Sequence, residues 1–190
     1  MDGILNINKP LGMTSHDVVA RVRKLLKQRR VGHAGTLDPA ASGVLPICVG
    51  LGTRVAEYLS ESGKAYRAEV IFGIVTDTYD TEGQILRTGD TSNLTREEIE
   101  RVLSTFLGAQ MQFPPRYSAI KIKGQPAYKL ARAGSEIELQ ARPVTLERLE
   151  ILNWESPRLT LEVACSKGTY IRSLAYDLGN AWAAAHTWED

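Results

Sequence analysis

Apolar and polar residues alternate over Ile4 to Asn8, which predicts a short strand, and Lys9, Pro10 and Gly12 end it in a turn. Thr14 or Ser15 then caps a helix in which Val18, Val19, Val22, Leu25 and Leu26 recur at helical spacing. Its other faces carry most of Arg21, Arg23, Lys24, Lys27, Arg29 and Arg30, so the helix is amphipathic and basic. The apolar run Val44 to Val49 predicts a buried strand. Gly50 and Gly52 flank a turn, and Thr53 caps a short helix to Leu59; GLG without the rest of a phosphate-loop fingerprint has no phosphate role. β-Branched and aromatic residues make Lys64 to Val75 a long strand with Tyr66 near its start.

Thr95 and Glu98 form a capping box ahead of the stripe Ile99, Val102, Leu103, Phe106 and Leu107, which predicts a helix over Thr95 to Leu107. Val144 to Trp154 and Leu159 to Ser166 read as two strands joined through Ser156 and Pro157. Ile171, Leu174, Ala175 and Leu178 mark a last helix and leave Tyr170 and Arg172 at a strand-to-helix junction. This mixture of elements fits the α+β class, without giving the strand order.

A chain of 190 residues, 43% hydrophobic and 24% charged, can bury a substantial core and has the balance of a soluble globular protein. No apolar stretch approaches the length needed to cross a bilayer, and MDGILNINKP does not read as a secretory signal, so a cytoplasmic protein is expected. Cys48 and Cys165 lie in apolar runs without metal-ligand spacing and read as buried, reduced thiols. Thr76 to Gly83, TDTYDTEG, is acidic and turn-rich but lacks the spacing of a calcium loop, so no metal is expected there.

Charge changes the picture more than composition does. Residues 1–36 and residues 116–135 each carry a net +5, while the rest of the chain sums to −9. Two basic segments on a nearly neutral chain suggest a localised surface for a polyanion, with nucleic acid the obvious candidate. Solvated helix faces would give the same count. The second segment lies within Phe113 to Glu138, where Tyr117, Tyr128, Pro and Gly are interleaved with basic residues. That composition suits a protruding element that grips RNA and stacks on bases. It equally suits a solvated hairpin followed by a helical turn.

Gly32 to Gly50, GHAGTLDPAASGVLPICVG, holds a single carboxylate, Asp38, between glycines and before Pro39. A rigid loop that lets backbone approach something large could present this group for catalysis, with His33 five residues earlier. Asp38 could instead close an Asx turn on its own backbone.

Four strings, NKPLGMTSHDVV, GHAGTLDPAASGVLPICVG, KAYRAEVIFG and CSKGTYIRSLAYDLG, occur in this order and at these spacings from Ile4 to about Gly179. The chain thereby resembles the TruB family of tRNA pseudouridine synthases, which convert uridine 55 of the T arm to pseudouridine. The resemblance implies the pseudouridine synthase fold, a mixed, mostly antiparallel sheet flanked by helices. It implies one catalytic domain over residues 1–190, with the basic segment at about 113–138 closing over the T arm, and a monomer acting on tRNA with no cofactor, metal or membrane.

By the same resemblance Asp38 is the catalytic carboxylate and Arg172 its paired cation. Tyr66 stacks on the flipped base, Tyr170 is a second pocket tyrosine, and His33 fills the space the base leaves. Lys9 and Pro10 support the active-site loop, and Lys167 joins the substrate-binding set. His16 and His186 read as structural. The chemistry agrees with a lone acid, because the isomerisation changes no oxidation state and an ionised Asp in a dry pocket needs an opposite charge.

Family members continue past the DLG helix into a strand whose leucine lines the uracil pocket, and usually into a small C-terminal RNA-binding domain. Here the helix runs into GNAWAAAHTWED, in which Ala185 and His186 echo a family AH pair and Thr187 to Asp190 match nothing. A synthase lacking both features is therefore expected. Three functions remain in play: an active tRNA uridine isomerase, an impaired synthase that only binds the T arm, and a glycoside or nucleoside hydrolase. The hydrolase ranks last because it typically needs a second carboxylate, and the matched strings contain none.

Overall fold

The computed structural model describes residues 1–186, which divide after Ser62 into two compact units. The reading of Thr187 to Asp190 and of the His186 side chain lies outside the described residues.

In the first unit, β1 (Gly3–Lys9), α1 (Ser15–Leu26), β2 (Val31–His33) and β3 (Gly43–Val49) are followed by a 3₁₀ turn (Gly50–Val55) and α2 (Ala56–Glu61). β3 lies between β1 and β2, antiparallel to both. Thr14 is the N-cap of α1 and forms a reciprocal capping box with Asp17. Val18, Val19 and Val22 pack against Val31, Leu45, Ile47 and Val49. Thr53 sits inside the 3₁₀ turn and bonds the Gly50 carbonyl, so it caps no helix.

The pleat of β1 decides an important placement. Alternate residues share a face, so Lys9 follows Leu5 and Ile7 toward the interior and ends with its side chain fully buried.

In the second unit, β4 (Lys64–Ile71), β5 (Ile74–Thr76), β6 (Ile85–Thr88), α3 (Arg96–Thr105) and β7 (Gly108–Gln112) come first. β8 (Lys121–Ile122), β9 (Gln125–Pro126), α4 (Ala127–Arg132), β10 (Arg142–Glu155), β11 (Arg158–Cys165) and α5 (Ile171–His186) follow. The main sheet has the order β4-β11-β10-β7, and its neighbours are antiparallel. Leu146, Leu159, Leu161 and Val163 on this sheet pack with Leu174 and Leu178 of α5 and with Ile99 and Leu103 of α3. Each fully buried leucine of this kind contributes about 1.5–3 kcal/mol.

The long strand expected over Lys64 to Val75 is interrupted. Phe72 and Gly73 form a turn in which Gly73 takes φ +80°, and a Cβ there would lie 2.8 Å from both the Gly89 oxygen and Thr91 Cγ2. Only glycine fits that approach. The chain re-forms as β5 and pairs with β6 in a separate two-stranded ribbon. Among the described residues no helix is long and apolar enough to cross a membrane.

Candidate active site

The loop that carries Asp38 is fastened by residues of the preceding turn. Gly12 N–H donates to the Pro39 carbonyl at 2.9 Å. Ser15 Oγ accepts from Leu37 N–H at 2.9 Å and donates to the Leu37 carbonyl at 3.2 Å. Ala41 N–H closes a turn on the Asp38 carbonyl at 3.0 Å. Asp38 itself is half-buried in irregular backbone between β2 and β3.

Lys9 supplies the charge in this region. Its Nζ donates to the carbonyls of Pro10 at 2.9 Å and Met13 at 2.7 Å, which pins the turn beneath the loop. Burial pushes the Lys9 ammonium below its ordinary value, and attraction to the Asp38 carboxylate opposes that shift. The two residues are therefore electrostatic partners within the first unit. His33, on β2, is partly buried and its Nδ1 bonds the Gly35 carbonyl. That bond places the proton on Nδ1 and fixes the ring's orientation.

In the second unit, Tyr66 lies opposite Val163 and packs partly buried against the core. Tyr170 immediately precedes α5, held through its backbone by a side chain that sequence reasoning missed. Gln112, 6% exposed at the end of β7, accepts from Tyr170 N–H at 2.8 Å and donates to the Tyr170 carbonyl at 3.1 Å. Buried Ser173 adds a 2.7 Å bond to the Phe113 carbonyl, so the start of α5 is tied to the end of β7 and the residue after it. Lys167 is exposed on the intervening loop.

Arg172, in the first turn of α5, gathers three acceptors. Its Nη1 donates to the Thr78 carbonyl at 3.0 Å and to Asp80 Oδ2 at 3.3 Å, and its Nη2 donates to the Tyr117 carbonyl at 3.2 Å. Asp80 is the second residue missed. It lies in the acidic, turn-rich TDTYDTEG stretch, where calcium-loop spacing is the only functional signal the sequence offers to test. Its Oδ1 serves its own turn through Thr78 Oγ1 and Glu82 N–H, leaving Oδ2 for the guanidinium. The two side chains are only 15% and 19% exposed, so this pair is sheltered. Four residues beyond Arg172, Tyr176 stacks on Tyr79, and burial together with Tyr176 pushes the Tyr79 hydroxyl up to about 12. Burial likewise raises the adjoining Asp177 carboxyl to about 6.

The basic segment folds as the hairpin β8–β9 followed by α4. Pro114, Pro115, Ser118 and Ala127 are buried, whereas Arg116, Lys121, Lys123, Lys129 and Arg132 are all exposed. Arg132 lies over the Tyr128 ring, 5.7 Å from its centroid. An open cavity of about 1020 Å³ is lined by Arg116, Lys123 and Gln125 among others. Among the described residues no cluster of three His, Cys, Asp or Glu could hold a metal ion.

The family profile described as TruB family pseudouridylate synthase (N terminal domain) matches residues 23–171. The tRNA pseudouridine synthase B of Clostridium kluyveri is 55% identical over 180 residues, which cover 95% of this chain and 62% of the relative. The chain thus spans about three fifths of the length of such relatives. A solved structure described as a Cbf5-Nop10-Gar1 complex superposes with a TM-score of 0.72 at 33% identity, covering 95% of this chain and 44% of that one. Another, an H/ACA RNP bound to a substrate RNA containing 2'-deoxyuridine, gives 0.69 at 30% identity over 95% of this chain and 43% of that one.

Proposed function

The chain belongs to the TruB family of pseudouridylate synthases and has their α+β fold, and from that premise we propose that it isomerises uridine to pseudouridine at position 55 in the T arm of tRNA. Asp38 is the catalytic carboxylate. The observation that carries this role is the buried Lys9 ammonium, which is drawn to Asp38 while anchoring the turn beneath its loop. A carboxylate with a fixed cation beside it keeps its charge when water leaves the pocket.

In the proposed reaction the N1–C1′ bond breaks, the uracil turns, and a C5–C1′ bond forms. The hydrogen on C5 passes to solvent and N1 takes up a proton, so no oxidant, metal or cofactor is required. Asp38 either attacks the nucleoside covalently or removes a ribose proton. By family resemblance Arg172 supplies the second compensating charge. Extruding the uridine from its stack costs roughly a few kcal/mol, and stacking on Tyr66 returns about 1–3 kcal/mol. Tyr170 forms a further wall, and His33 occupies the gap in the RNA loop. Lys9 acts through the loop, while Lys167 and the exposed cations of residues 113–138 meet the phosphates of the T arm. In this proposal the chain works as a cytoplasmic monomer.

Incubating the chain with a tRNA transcript and digesting the product to nucleosides tests the reaction class. The expected outcome is one pseudouridine per tRNA, located in the T arm by primer extension after carbodiimide treatment, with no free uracil. Free uracil would mean a hydrolase, and tight binding without conversion would mean a T-arm binding module.

A further inference from the structure

Between Thr78 and Asp80, the two residues whose acceptors meet Arg172 Nη1, stands a tyrosine with φ +61°. A bulky side chain seldom adopts this left-handed conformation, and it persists only where the surroundings impose it. The surroundings here are specific. The Tyr79 ring lies on that of Tyr176 with centroids 4.0 Å apart and planes 12° from parallel. Tyr176 is four residues after Arg172 on α5, so both project from one face of the helix. A left-handed residue at position 79 turns the chain so that the carbonyl before it and the carboxylate after it converge on one guanidinium nitrogen, at 3.0 and 3.3 Å.

We propose that Tyr79 and Tyr176 are positioning residues for Arg172: their stack holds the left-handed turn that presents the Thr78 carbonyl and the Asp80 carboxylate to the guanidinium. The functional consequence rests on the role proposed above for Arg172. The competing explanation is simple packing, since both rings also line a cavity of about 580 Å³ with Phe72, Ile85 and Trp182. Packing alone predicts that losing a ring lowers stability and leaves Arg172 where it is.

Two measurements on the full chain separate these. In ¹⁵N-labelled protein, the Arg172 guanidinium signals, assigned with Arg172→Lys, report whether the Nη groups are restrained by acceptors. They are expected to remain resolved in Tyr176→Phe, which keeps the stack, and to collapse to a freely rotating average in Tyr176→Ala. Tyr79→Gly accepts the left-handed turn without strain but removes the ring, and is expected to behave like Tyr176→Ala. It also carries the test if Tyr176→Ala does not fold.

In steady-state isomerisation of a tRNA transcript, Tyr176→Ala should lower kcat at least about tenfold with KM within about twofold, since a misplacement of about 1 Å can cost about 100-fold. Tyr176→Phe should restore kcat. Folded variants lacking the stack that retain the restrained signals, or that keep kcat within about twofold of an active wild type, overturn the inference. If the wild type does not turn over, the proposed function fails, and the guanidinium signals still decide whether the stack positions Arg172.

Discussion

Around Asp38 the chain secures a carboxylate with groups from its own neighbourhood: Lys9 bonds carbonyls one and four residues ahead, and Ser15 reaches Leu37 across 22 residues. Around Arg172 it secures a cation with groups from far along the sequence, at separations of 94, 92 and 55 residues. The bonds around Asp38 require only β1, α1 and the loop between β2 and β3, all within the first 50 residues. The long-range set exists only once the strands and α5 of the second unit have come together, after the entropy of closing those loops has been overcome. Damage at Lys9 should therefore stay local, whereas damage at Arg172 should reach the stability of its unit.

Arg172→Ala should have the largest combined effect. It leaves the sheltered Asp80 carboxylate without its cation, so urea unfolding should show a loss of about 3 kcal/mol. Turnover should fall about 100-fold, comparable to the loss of a charge-stabilising group. Adding Asp80→Asn should recover part of the stability and none of the turnover. An unchanged unfolding midpoint for Arg172→Ala would break the contrast between the regions.

Lys9→Met comes next. It should lower turnover about tenfold but change stability by only about 1 kcal/mol, because relief of the buried ammonium's desolvation offsets its two lost bonds. A stability loss exceeding that of Arg172→Ala would reverse the contrast.

The smallest effect is a gain. Asp177 titrates at about 6 in the folded chain against an ordinary 3.8, so the folded state holds its proton more tightly than the unfolded state. Its ionisation therefore costs stability as pH rises through that window. Asp177→Asn should raise the unfolding free energy at pH 8 by on the order of 1 kcal/mol after allowing for partial exposure, read by urea unfolding. The gain should vanish near pH 4; an equal gain at both pH values would refute this titration.

The same division explains what could be read from the sequence. The capping box at Thr95 and the Val44 to Val49 strand were legible, because each is written in adjacent residues, while the cap of α1 was narrowed only to Thr14 or Ser15. The burial of Lys9 was not legible: a charged residue next to Pro10 and Gly12 reads as part of the turn, whereas it closes β1 and continues the inward set of Leu5 and Ile7. β2 escaped notice because three residues show no period, and β7, GAQMQ, because it has no β-branched residue. Leu25 fits its helical stripe yet is 74% exposed, since a stripe does not say where its partner surface ends, and Leu107, expected in the stripe of α3, lies beyond the end of that helix and is 48% exposed. Asp80 and Gln112 were invisible for a stronger reason. What makes them matter is a partner 92 or 58 residues away, and nothing next to them in the chain announces it.

The most direct test of the account is tritium release from a tRNA transcript carrying 5-tritiated uridine, because forming the C5–C1′ bond expels that hydrogen. The wild-type chain should release about one equivalent per tRNA, and Asp38→Asn should release it about 100 to 10,000 times more slowly while binding tRNA about as well. Release by Asp38→Asn at close to the wild-type rate would contradict the assignment of Asp38 as the catalytic carboxylate.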